Sequence, residues 1–218
     1  MLFQKKKMSQ SNRPIVFGRY PQSANGDVSP IEWILLEKKK KSSVLITKDC
    51  LICSGYCDYE KAREDLKYLE WGRSQAREKC LEFYEQAFTN EEKTVILSKE
   101  TVSEASSDVI RDKVFLLSEE EVKAYFLDSQ TLQASPSKYA ASKGARFGWS
   151  GYESFTSWWL MPQVEDGGRV FSPNGIEYPN GILIYPKAVF HNGEIQYHSR
   201  NVYHQDFTIR PCIEILTD

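Results

Sequence analysis

Over residues 73–88 the apolar positions Ala76, Cys80, Phe83, Tyr84 and Ala87 are spaced by 4, 3, 1 and 3 residues. That is one face of a helix with 3.6 residues per turn, and it turns Cys80 toward the core rather than toward a metal. Thr89-Asn-Glu-Glu92 and Ser118-Glu-Glu-Glu121 each set a hydroxyl three residues before a carboxylate. The two groups then satisfy each other's orphan backbone donors, which predicts a helix start at both places. The acids at 119–121 are therefore favourable charge at the positive end of a helix dipole, not a catalytic cluster. That helix should run to about residue 126, with 112–117 (DKVFLL) as the approach to the core. Pro136 at an early helical position predicts another short helix over 136–143.

Elsewhere the period is two. Residues 14–22, 31–37 and 43–48 read as strands, with the lysine run 38–41 as the hairpin loop between the last two. Asn25-Gly26 marks a tight turn, and 50–70 is loop with some helix. In the last third, Asn174-Gly175, Asn180-Gly181 and Asn192-Gly193 are type I′ hairpin signals, because both residues tolerate positive φ. Strands are expected at 168–172, 182–190, 194–198 and 207–215. In the last of these Phe207, Ile209, Ile213 and Ile215 share one face, and Thr208, Arg210, Cys212 and Glu214 the other. Pro211 has no donor, which predicts an edge position or a bulge. Strands, then helices, then strands make an α+β domain with a largely antiparallel sheet.

Composition bounds the rest. The chain has 218 residues, enough for a sizeable core without staples. We read one domain over 14–218 behind a flexible basic tail at 1–13, which holds Lys5, Lys6, Lys7 and Arg13 and no acid. No apolar stretch follows those lysines, so no export signal and a cytoplasmic location are expected. Runs such as 114–117 (VFLL) stop far short of the roughly 18 residues of a membrane span. A net charge of −2 is not the footprint of a dedicated nucleic-acid binder. Five cysteines (50, 53, 57, 80 and 212) are an odd count that fits reduced thiols. Cys50, Cys53 and Cys57 have no second pair to complete a zinc site. No metal and no cofactor are expected, and Glu165, Asp166 and Asp206 show no spaced calcium motif.

Seven blocks in order resemble an uncharacterised bacterial family, a domain of unknown function common in Firmicutes. They are FGRYPQ (17–22) with PIEW (30–33), LITKDC (45–50), Trp71 before EFYEQAF (82–88), DKVFLLSEEEVKAYF (112–126), KYA (138–140), WWL (158–160) and TIRPC (208–212). The resemblance extends to the C-type-lectin-like superfamily in its formylglycine-generating-enzyme version. It implies an α+β fold whose first and last strands pair, with long loops on one side carrying the ligand face. The family pattern WWL-Arg-Ser-Pro reads Leu160-Met161-Pro162-Gln163 here, and its Gly-Val-Arg-Pro-Ala ending reads Thr208-Ile209-Arg210-Pro211-Cys212. The formylglycine-generating enzymes hold copper through two late cysteines, soft ligands suited to Cu(I). This chain has Cys212 alone in its last third.

Catalytic patterns are missing. Ser199 stands between His198 and Arg200, but neighbours in a strand point to opposite faces. Gly144, Gly148 and Gly151 lack the lysine and hydroxyl of a phosphate loop. Two aromatic and polar concentrations remain: Trp149, Tyr152 and Trp158 in one, and Tyr197, His198, Arg200, Asn201, Tyr203 and His204 in 196–206 (QYHSRNVYHQD). Rigid aromatic area beside adaptable polar groups is the chemistry of recognition loops. The expectation is a non-catalytic module that binds a protein, peptide or glycan. The same residue set is what diversified receptors of retroelements display. The alternatives are a copper- or cysteine-dependent oxidase of the formylglycine-generating type and a structural component of a phage or secretion assembly.

Overall fold

The computed structural model describes residues 14–102, 109–166, 182–197 and 203–217. The basic tail, the expected strand at 168–172, the Asn174-Gly175 and Asn180-Gly181 turns, and His198, Arg200 and Asn201 lie outside them. The chain opens with β1 (Ile15–Pro21), β2 (Val28–Lys38), β3 (Ser42–Thr47) and β4 (Ile52–Cys53). The helices α1 (Tyr59–Glu64), α2 (Gln75–Ala87) and α3 (Asn90–Val95) follow, with two 3₁₀ turns between the first two. Then come β5 (Ile96–Leu97), β6 (Lys99–Val102), β7 (Val109–Asp112), α4 (Glu119–Tyr125), α5 (Ser129–Leu132) and α6 (Lys138–Ser142). The last third holds β8 (Trp158–Trp159), β9 (Gln163–Asp166), β10 (Ile182–Tyr185), β11 (Lys187–Val189), β12 (Ile195–Tyr197), β13 (Thr208–Ile209) and β14 (Cys212–Leu216).

The helices form where the pattern asks for them. In α2 Ala76, Cys80, Phe83 and Ala87 of the predicted face are buried, and Tyr84 is half-buried. Thr89 and Ser118 both close complete capping boxes, on Glu92 and Glu121. At α6 the cap is Ser137, whose hydroxyl accepts the Ala140 amide. Pro136 stands one residue outside the helix instead of opening it.

Two five-stranded sheets organise the molecule, in the orders β1-β2-β3-β14-β5 and β12-β11-β8-β13-β4. All pairings are antiparallel except β8 with β13. The expected pairing of the first and last strands is not what forms: β1 pairs with β2, while β14 lies between β3 and β5. The cause is visible in the side chains. Every residue of β3 is buried, so β3 needs a partner on both edges. β1 exposes Val16 and Arg19 and ends in Pro21, which suits an edge.

Strand alternation divides the apolar residues between two cores. Trp158, Val44, Ile46, Val189 and Cys212 join one; Trp159, Leu45, Ala188, Ile209 and Ile213 join the other. The expected single strand at 207–215 breaks at Arg210-Pro211. The chain leaves the second sheet as β13 and enters the first as β14. Pro211 therefore marks a change of sheet, next to a strand that is central rather than at an edge. The Asn192-Gly193 turn also differs from type I′. Phe190 N–H donates to Glu194 and Gly193 N–H to Phe190, with Gly193 at φ 83°. The result is a three-residue loop needing one left-handed residue, for which glycine suffices.

Candidate functional site

Beyond α6 the chain runs out and back as a narrow loop. Phe147 bridges Thr156, and the Gly148 amide donates to the Phe155 carbonyl. At the tip Ser150 (φ 52°) and Gly151 (φ 96°) are both left-handed, and Trp149 is held outward, 57% exposed. The base of the loop is pinned by the Arg146 amide, which donates to the Asp206 carbonyl at 2.8 Å. The Thr156 hydroxyl donates to the Arg146 carbonyl at 2.7 Å. Gly148 lets the loop approach the β11–β12 turn: a Cβ there would lie 2.6 Å from the His191 ring. The Trp149 and His191 rings are 4.5 Å apart, and Tyr152 stands edge-on to His191 at 5.7 Å.

The opposite wall comes from 203–207. This stretch is stitched to the first half of the chain, with the Cys53 thiol donating to Gln205 O and the Gly55 amide to Gln205 Oε1. The outcome is a cleft of about 180 Å³ lined by Arg146, Phe147, Trp149, Phe190, His191 and His204, with Ser157 and Phe207 at its floor. The Arg146 guanidinium stands 5.6 Å over the Trp149 ring and 3.7 Å from Asp206, too far for a hydrogen bond. His204 Nδ1 is 3.3 Å from the second Asp206 oxygen, an ion pair when the imidazole is protonated. Burial, then the Arg146 charge, lowers the pKa of His191, so its imidazole enters the cleft neutral. The Ser157 hydroxyl accepts the His191 amide at 3.3 Å.

Of the residues singled out by sequence, Trp149, Tyr152 and His204 converge here. Trp158 does not: it is 1% exposed, deep in a core, and its indole donates to the Leu132 carbonyl. Tyr203 packs edge-on against Tyr59 at 4.8 Å. Tyr197 ends β12. Arg146, Phe147, Phe190 and His191 were missed. The available signal was the Asn192-Gly193 turn, which places His191 at a loop end, and the glycines at 144, 148 and 151 flanking Trp149.

The cysteines show no reactive environment. Burial raises the thiols of Cys50 and Cys53 to about 11 and that of Cys57 to about 12, and holds Cys80 and Cys212 well above the ordinary value. Among the described residues no group of three His, Cys, Asp or Glu side chains is placed to hold a metal ion. Among the same residues no helix is long and apolar enough to cross a membrane.

The sequence profile of a family described as a domain of unknown function (DUF6273) matches residues 41–216, and the chain belongs to that family. No curated protein and no solved structure matches the chain.

Proposed function

We propose that this member of the DUF6273 family is a non-catalytic binding module, and that the cleft beside Trp149 is its recognition site. One observation carries the reading: an exposed tryptophan, an arginine and two histidines from three separate segments meet around one concavity. Concave, aromatic-lined sites with a few convergent polar groups are where ligands bind. The lectin-like architecture belongs to the same proposal. It is supported by the antiparallel sheets, the long irregular stretches between short strands and the Arg-Pro element ahead of the last strand. The separation of β1 from β14 counts against it.

The oxidase alternative has less support. Copper would need accessible thiolates. Cys212 and Cys80 are both fully buried, and burial keeps both protonated.

The test is affinity capture from host lysate read by mass spectrometry, with the wild type beside an Arg146→Ala, Trp149→Ala double variant of unchanged melting temperature. A partner retained by the wild type and lost by the variant supports the reading. The same partners on both proteins would place the recognition surface elsewhere.

A further inference from the structure

We propose that the cleft takes one aromatic side chain of a peptide or protein partner, with an acidic residue next to it; this rests on the binding-module reading. Size comes first. A volume of about 180 Å³ compares with roughly 150 Å³ for an apolar cavity that holds one benzene. One ring fits, and an extended oligomer does not. The walls come next. The Trp149 and His191 rings are tilted 54° to each other and Phe147 lies beside them in the lining, an aromatic wall against which offset and edge-on contacts can form.

Charge selects what accompanies the ring. Among the described residues Arg146 is the cation lining the cleft, its side chain 62% exposed. It makes no side-chain hydrogen bond among them, only a 3.7 Å ion-pair contact of Nη1 with Asp206, so the rest of its planar fork of donors can meet a carboxylate. An arginine beside the ring disfavours a cationic guest. A phosphate chain would want several cations, whereas the described lining holds one guanidinium, with Asp206 3.7 Å from it.

A sugar is the harder guest to satisfy. Its many hydroxyls need replacement hydrogen bonds when they leave water. The Ser157 hydroxyl already accepts the His191 amide, and the Thr156 hydroxyl already donates to Arg146 O. Such a guest would meet Arg146 and a wall made mainly of aromatic rings.

The experiment is a proton–nitrogen NMR titration of the full chain, watching the Trp149 indole and His191 imidazole signals. The probes are acetyl-Glu-Trp-Glu-amide, acetyl-Gln-Trp-Gln-amide and methyl α-glucoside. The acidic peptide should shift both signals with a dissociation constant of about a millimolar, as expected of a small fragment. The neutral peptide should bind about two- to fivefold more weakly, the range of an exposed ion pair. Arg146→Met should erase that difference, and Trp149→Ala should abolish binding of both peptides without altering the rest of the spectrum. Equal binding of the two peptides would overturn the acidic component. Shifts from the glucoside alone would overturn the aromatic guest while leaving the cleft a binding site. No shift from any probe would overturn both this proposal and the reading beneath it.

Discussion

Among the described residues two arginines stand over tryptophan rings, in opposite surroundings. Arg210 is 2% exposed, with its guanidinium 5.3 Å from the Trp158 ring and 6.0 Å from Phe126. Its Nε donates to the Thr47 carbonyl at 2.9 Å and its Nη2 to the Lys48 carbonyl at 3.1 Å. It sits where the chain passes from one sheet to the other, and it ties that crossing to the end of β3. Arg146 makes the same kind of stack on Trp149, at 5.6 Å, but at the surface, and its side chain holds no backbone carbonyl among the described residues. The same pair of residue types is thus a latch in one place and an open surface in the other. What separates them is burial. Desolvation lowers the Arg210 pKa, opposed by the nearby Cys50, Cys212 and Asp49; Nε and Nη2 are engaged, while Nη1 is buried without a hydrogen-bond partner among the described residues, so the two carbonyl contacts offset part of the burial cost.

The tryptophans should divide most sharply. Trp158→Ala would empty a fully buried indole site, and truncations of that size cost about 3–5 kcal/mol. Trp149→Ala removes a largely exposed ring and should stay within about 1 kcal/mol. Denaturant midpoints with unchanged slopes would establish the contrast; similar losses at both sites would erase it. The arginines should follow at smaller scale. Arg210→Met keeps the stem but withdraws the donors to Thr47 and Lys48, a cost of about 2–4 kcal/mol. Arg146→Met should move stability by no more than about 0.5 kcal/mol. If Arg210→Met were neutral, the latch would be a bystander of the crossing.

These contrasts also mark how far the amino-acid pattern could be read. The period-3.6 face of α2 and both capping boxes are local, set by residues within one or two turns, and they form as expected. So does the period-two alternation of Phe207, Ile209, Ile213 and Ile215, which all pack on one core. Which strand neighbours which is non-local. Nothing in 15–21 or 212–216 alone says that β3, buried on both faces, claims β14 as its second partner. The WWL block was legible as a family mark, with Trp158 expected at the ligand face, but not as one tryptophan for each core. The cleft was half legible: Trp149, Tyr152 and His204 stood out by composition. Arg146 and His191 gain their roles only when a glycine at 148 lets two distant loops meet. Arg210 looked like part of a closing motif, and its value as a latch depends on carbonyls more than 160 residues away.

The smallest expected effect separates the two regions by pH. In the folded chain burial, and then the Arg146 charge, lowers the pKa of His191 below its ordinary 6.5; unfolding restores the ordinary value. Below about pH 6.5 the unfolded chain therefore takes up a proton that the folded cleft resists. Folding loses stability as pH falls through that window, until the folded imidazole titrates too. Above it both states are neutral and the term vanishes. The wild type should lose more melting temperature than His191→Gln on going from pH 7.5 to 5.5, with the gap between the two curves becoming constant toward the alkaline end. His204 and Asp206 also line this region, but they are common to both proteins and largely cancel in the difference. Arg210→Met, by contrast, should lower the melting temperature by a similar amount at both pH values, because a guanidinium does not titrate there. A pH-dependent gap for Arg210→Met, or none for His191→Gln, would mean that the acid-sensitive contact lies in the core and not at the cleft.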